Sequence, residues 1–178
     1  DGPVFMQTLK DSGVVGLAVR YDWKALEPTK DGYDFSRVKR HMDLAQSFGL
    51  KFVIILEDKS FQGKTTPLPA YLMANPDYGY VNLSGGYNAT RWNSFVHERS
   101  KLLINKIGQT FDTHPAFEGL GFEETAPNMP SNLVTVPPYD PALYRDKIID
   151  ILTTASNALP NSEVFWFMNY LPGGQQYL

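Results

Sequence analysis

The chain contains no cysteine, which excludes disulfide staples, thiol nucleophiles and Cys-ligated zinc, while leaving the compartment open. Although 43% of its residues are hydrophobic, none of its apolar runs approaches the ~20 residues that a membrane-spanning helix requires. No membrane partner is expected. Positive charge is sparse and dispersed: 16 Lys and Arg against 19 Asp and Glu leave a net charge of −3. With no basic stripe to follow a phosphate backbone, nucleic acid is not an expected partner either. The three histidines, His41, His97 and His114, form neither H-x-H nor H-E-x-x-H, so no metal site is predicted and no cofactor is implied. His41 and His97 fall within helical stretches and read as surface groups, whereas His114 in "THPAF" reads as a turn residue. Neither G-x-G-x-x-G nor G-x-x-x-x-G-K-[ST] occurs after any apolar run, which removes the common nucleotide-binding motifs.

What the sequence does contain is a repeating alternation. "VVGLAV" (Val14 to Val19) is a continuous apolar run of the kind that forms a strand covered on both faces. After a loop, apolar positions at Phe35, Val38, Met42 and Ala45 form a helical stripe, with Asp34 as predicted N-cap and Gly49 just past the end. The unit recurs. "KFVIIL" (Lys51 to Leu56) is a second buried strand, followed by a long Pro- and Gly-rich loop and a helix from about Asn93 to Phe111. "FEGLGF" (Phe117 to Phe122) leads through another Pro-rich loop to a helix capped by Asp140 with Pro141 at its first position. A fourth strand, Glu163 to Tyr170, ends the series. Strands alternating with helices imply right-handed crossovers and a parallel sheet, hence an α/β fold. The long loops follow strands and the short ones precede them, which favours a (β/α)8 TIM-type barrel over an open doubly wound sheet. Residues 1–178 thus read as one domain, a partial barrel of about four strand–helix units.

Charged residues gather at the predicted strand ends. Glu123 and Glu124 terminate the third strand, and Glu57 and Asp58 the second. Because successive strand side chains point to opposite faces, at most one of Glu123 and Glu124 is expected to face a central pocket. The aromatic and planar polar residues that a sugar ring requires are plentiful near the same ends, Trp92, Trp166 and Asn169 foremost. Asn82 in "NLS" and Asn88 in "NAT" match the short glycosylation pattern.

The segment "VRYDWKALEPTKDGYDFSRVKRHMDLAQSFGLKFVIIL" resembles the second-to-third strand region of retaining glycoside hydrolases of the large (β/α)8-barrel clan that includes cellulases, mannanases and β-galactosidases. Their pattern there is a strand-borne Arg, W-x-x-[LI]-E-P, G-x-Y-D-F, a helix, G-L and an apolar strand. "HPAFEGLGFEETA" resembles the region where the clan's fourth strand ends in an Asn-Glu pair. The resemblance covers most of Gly13 to Tyr170 and implies a carbohydrate substrate. It implies Glu124 as general acid/base, Arg20 as the Arg that orients the catalytic carboxylates, and Trp23, Glu27 and Pro28 as loop-folding residues. Glu123 stands where the clan usually has Asn, so a second carboxylate replaces an amide donor; mutual repulsion would raise one of the two pKa values. By analogy with polysaccharide-degrading enzymes, a secreted or periplasmic location is expected.

In the resembling clan the nucleophile lies on the seventh strand. The four strands here correspond to the second through fifth, and Val4 to Leu9 to the end of the first helix. The sequence is therefore expected to be a fragment of a hydrolase, a half-barrel that pairs with itself or with another chain, or a non-catalytic carbohydrate-binding relative. An unrelated hydrolase or lyase on a similar barrel is a further reading.

Overall fold

A computed structural model describes residues 2–61 and 65–174. In chain order the elements are α1 (Pro3–Asp11), β1 (Gly16–Asp22), α2 (Trp23–Leu26), α3 (Ser36–Ser47), β2 (Lys51–Glu57), α4 (Ala70–Met73), β3 (Gly79–Val81), β4 (Tyr87–Ala89), α5 (Ser94–Phe111), β5 (Phe117–Phe122), α6 (Pro141–Ala158) and β6 (Glu163–Trp166). The main sheet has four parallel strands in the order β1-β2-β5-β6, so spatial order follows chain order as in a barrel wall. The α/β expectation holds, and each predicted strand lies within a few residues of an observed one. The fourth is shorter than expected, stopping at Trp166.

The helix starts have identifiable causes. The Asn93 side chain accepts from the amides of Phe95 and Val96 at the start of α5, and Asp140 accepts from that of Leu143 at the start of α6, beside a Pro in the first turn. Asp34 does not cap α3 as expected: Phe35 occupies the N-cap position, and Asp34 instead accepts from the Ser36 amide at 2.9 Å.

The two faces of the sheet divide the strand residues by parity. Tyr21, Phe52, Ile54, Leu56, Leu120 and Phe122 are buried within the main hydrophobic core, with which Val38 and Met42 of α3 and Leu103 and Ile107 of α5 also pack. The opposite face carries the alternate residues. Arg20 pairs in register with Ile55, Ile55 with Gly121, and Gly121 with Phe165. These four form one layer across the concave side. Gly121 leaves room there: a Cβ would come within 2.5 Å of the Ile55 Cδ1 and 2.4 Å of the Phe165 ring, so the ends of both side chains would have to shift.

The β3–β4 hairpin was not anticipated. It inserts into the long loop after β2, where two three-residue strands are too short to show a period-2 pattern. Asn82 and Asn88, the two glycosylation-pattern residues, hold it together. They are 3% and 2% exposed and hydrogen-bonded to each other at 2.7 Å. In the folded chain neither side chain is open to modification.

Candidate functional site

The carboxyl ends of the parallel strands converge on an open cavity of about 560 Å³ against the concave face of the sheet, lined by Arg20, Ile55, Glu123, Glu124, Phe165 and Asn169 among others. Glu123 continues the inward parity of Gly119 and Gly121. Glu124 would point outward if β5 continued, but the strand stops at Phe122, and the turning chain brings Glu124 to the same cavity. The expectation that at most one of the pair could face the pocket is therefore corrected: strand alternation constrains side chains only as far as the strand runs.

The two carboxyls lie in different environments. Glu123 is 7% exposed, its Oε1 lies 3.3 Å from Arg20 Nε, and its Oε2 is buried without a hydrogen-bond partner among the described residues. Burial, and then the charges of Asp58 and Glu57, push its pKa up from 4.5 to about 7, against the opposing pull of Arg20 and Arg91. Glu124 behaves in the opposite way. Burial alone would raise it, but the hydrogen bond and charge of Lys59, with Asn169 and Arg91, hold it below the usual carboxylate range. Lys59 is 1% exposed and divides its ammonium between Glu124 Oε1 and the Ala126 carbonyl, the latter at 2.8 Å. A buried ammonium of this kind is tolerated because its partner is charged.

Asn169 spans the rim. Its amide nitrogen donates to Glu124 Oε2 and its oxygen accepts from the Ala126 amide at 3.1 Å. On the helix side Asp58 forms a two-point pair with Arg91, at 2.7 and 2.6 Å. Arg91 Nη1 donates to the Glu124 carbonyl at 3.0 Å and to the Tyr144 hydroxyl at 2.9 Å, and that hydroxyl donates to the Thr125 carbonyl at 2.8 Å. The backbone of Glu124 and Thr125 is thereby fixed from behind by a fork geometry that only Arg supplies.

Of the residues singled out from sequence, Arg20, Glu123, Glu124 and Asn169 come together. The two tryptophans do not. Trp92 is fully buried, its ring packed among Tyr80, Tyr139 and Tyr144 and its Nε1 donating to Thr135 Oγ1 and the Pro137 carbonyl. It has no open face for a sugar. Trp166 lies on the helix side, stacked on Phe122 with ring centroids 4.7 Å apart and under the Arg91 guanidinium at 5.3 Å. Burial removes Trp92 from the central cavity, and Trp166, half-buried, faces away from it: an aromatic residue at a strand end has two faces of the sheet open to it, and composition does not choose between them. Lys59 and Arg91 were missed, since a buried Lys or Arg carries no period in the sequence that distinguishes it from a surface charge.

Glu27 is fully buried, accepting from Trp23 Nε1, the Asp31 amide, the Tyr71 hydroxyl and Arg99, so the structural role implied for Trp23 and Glu27 is realised. His97 is 2% exposed and bonds Asp150 at 2.7 Å, which corrects its reading as a surface group. His97, Glu98 and Asp150 bring ligand atoms within 4.8 Å of one another, but Lys101 already occupies the same Asp150 oxygen at 2.9 Å. No helix among the described residues is long and apolar enough to cross a membrane.

No protein-family model and no curated protein matches the sequence. Solved structures do match. A GH5_18 protein from Bifidobacterium longum subsp. infantis superposes with a TM-score of 0.68 at 15% identity, over 94% of this chain and 38% of its own. An exo-β-1,4-mannosidase from Opitutaceae bacterium strain TAV5 gives 0.65 at 15% identity, over 91% and 26%. A catalytic Glu→Ala mutant of a GH42 β-galactosidase from G. stearothermophilus gives 0.67 at 14% identity, over 90% and 32%. The chain thus spans between 26% and 38% of the length of these three. What it shares with them is architecture: four strands of a parallel α/β wall, the fold of part of a glycoside hydrolase (β/α)8 barrel.

Proposed function

We propose that this chain forms the acid/base-bearing wall of a glycoside hydrolase acting on oligo- or polysaccharide. The observation that carries the reading is a pair of carboxyls with opposite ionisation, Glu123 raised to about 7 and Glu124 held low, lining one cavity at the carboxyl ends of parallel strands. Two carboxyls whose environments push their pKa values apart are how one site runs acid and base chemistry together. The family resemblance gives the acid/base role to Glu124. The geometry favours Glu123 as the proton carrier, because Lys59 holds Glu124 ionised whereas burial keeps a proton on Glu123. In this assignment Glu123 protonates the glycosidic oxygen as the bond from that oxygen to the anomeric carbon breaks. Arg20 orients Glu123, and Asn169 and Glu124 meet sugar hydroxyls. Retention of configuration further requires a nucleophilic carboxylate about 5 to 5.5 Å from the acid, which the resemblance assigns to a later strand.

A second reading, a carbohydrate-binding half-barrel without turnover, draws support from the engagement of Glu124 by Lys59 and of Asp58 by Arg91. Hydrolysis of 4-nitrophenyl β-glucoside, β-galactoside and β-mannoside by the full-length gene product, measured beside oligosaccharide binding, separates the two. The hydrolase reading expects Glu123→Gln to lower turnover about 10²- to 10⁴-fold while binding persists. Binding with no hydrolysis at any protein concentration supports the half-barrel, and absence of both removes carbohydrate from consideration.

A further inference from the structure

Three side chains at the rim meet around one carboxyl group. Lys59, on the segment that follows β2, donates to Glu124 Oε1, and Asn169, on the segment that follows β6, donates through Nδ2 to Glu124 Oε2. An amine and a carboxamide are thereby held on the two oxygens of the same group. Proximity of this kind replaces an encounter between solutes by an intramolecular reaction.

The carboxamide is also polarised. Its Oδ1 accepts from the Tyr170 amide at 2.8 Å, from the Ala126 amide at 3.1 Å and from Thr125 Oγ1 at 3.3 Å. Two backbone N–H groups in this range are what stabilise the oxyanion of a tetrahedral intermediate. On the other side of Glu124, Lys59 is 1% exposed, its ammonium confined to Glu124, the Ala126 carbonyl and the face of the Phe61 ring at 5.2 Å. A nucleophile, a proton carrier and an activated carbonyl thus share one cluster.

We propose that Lys59 and Asn169 join in an intramolecular isopeptide bond, with Glu124 moving the protons. Glu124 takes a proton from the Lys59 ammonium, and the freed Nζ electron pair attacks Asn169 Cγ. The carbonyl π electrons move to Oδ1, between the Tyr170 and Ala126 amides. Glu124 then gives its proton to Nδ2 and accepts one from Nζ. The oxyanion collapses, the Cγ–Nδ2 bond breaks, and ammonia departs, taking the last proton from Glu124 as ammonium. No oxidant, reductant or co-reactant is consumed. The structure shows the state before this step, which is slow because Lys59 must first pass a proton to a carboxyl held below the usual carboxylate range. The product ties the segments after β2 and β6 together across the rim. The inference goes beyond the proposed function and needs no sugar, and neither Arg20 nor Glu123 takes part in it.

Tryptic digestion and tandem mass spectrometry of the full-length gene product, fresh and after prolonged incubation at neutral pH, test it. The expected result is a branched peptide joining Lys59 to Asn169, uncut after Lys59 and lighter than its two components by one ammonia, about 17 Da, whose yield grows with time. Its formation should slow in acid, as Glu124 also becomes protonated and the pair holds a second proton. Lys59→Arg should abolish the branched peptide, and Glu124→Gln should slow it about 100-fold or more. Free Lys59 and intact Asn169 after the longest incubation of the parent would overturn the inference. So would conversion of Asn169 to Asp with Lys59 still cleaved, which marks attack by water or by the backbone instead. A branched peptide that forms as fast in Glu124→Gln would overturn the proton transfer through Glu124. None of these results reads glycoside hydrolysis, so the proposed function stands or falls separately.

Discussion

At the scale of single residues, Glu123 and Glu124 are adjacent in sequence yet should respond to pH in opposite ways. Glu123 is raised from 4.5 to about 7. The folded chain therefore binds more protons than the unfolded one between those values, and its stability falls as pH rises through that window. The full penalty, about 3 kcal/mol, is reached above pH 7. Glu123→Gln should remove this slope, so urea melts at pH 4.5 and 7.5 will differ less in the variant than in the parent. Glu124 contributes stability above its unfolded value that is lost as pH falls. Glu124→Gln, although nearly isosteric, leaves the Lys59 ammonium buried without a counter-charge, and breaking such a pair costs about 3 to 5 kcal/mol. Thermal melts at pH 7 should show Glu124→Gln well below the parent, with Lys59→Met recovering part of the loss in the double variant. The sequence disclosed that two carboxylates end a strand. It could not disclose which would be charged, because that depends on Lys59, Asp58 and Arg91, brought in from other segments.

At the scale of elements, the strand–helix alternation was readable because continuous apolar runs such as "KFVIIL" and helical stripes such as Val38, Met42 and Ala45 are local patterns, as is the cap at Asp140. The hairpin was not, nor was the side of the sheet that Trp166 would take. Close approach between elements is similarly invisible in sequence. Gly108 in α5 is one such case: a Cβ there would meet the Ala158 carbonyl oxygen of α6 at 2.2 Å. Helix propensity alone predicts that Gly108→Ala stabilises by about 1 kcal/mol. Packing against a backbone atom that cannot rotate away predicts the reverse, a loss of about 1 to 3 kcal/mol. Gly121→Ala should cost less, because its neighbours are the ends of the Ile55 and Phe165 side chains. Denaturant midpoints of the two variants decide both the sign at Gly108 and the order of the pair.

At the scale of the whole molecule, β1 and β6 are the outer strands of the main sheet, and among the described residues neither has a partner on its outer edge. Phe61, Phe167, Met168 and Tyr170 are each about half exposed or more on the cavity side and beside it. Unpaired parallel edges next to exposed apolar groups favour association. The 178-residue chain is accordingly expected to elute as a dimer or larger species by size-exclusion chromatography with light scattering, and to show no glycosidase turnover by itself; a stable monomer that hydrolyses aryl glycosides would show that these strands already hold a complete site. The central claim is that Glu123 is the proton-holding carboxyl of a carbohydrate site. The most direct test is a ¹³C NMR titration of the glutamate side-chain carboxyls, assigned with Glu123→Gln and repeated with saturating oligosaccharide. The account predicts a Glu123 resonance that titrates near 7 and moves when the sugar binds. A Glu123 carboxyl that titrates near 4.5 and ignores every oligosaccharide offered would contradict it.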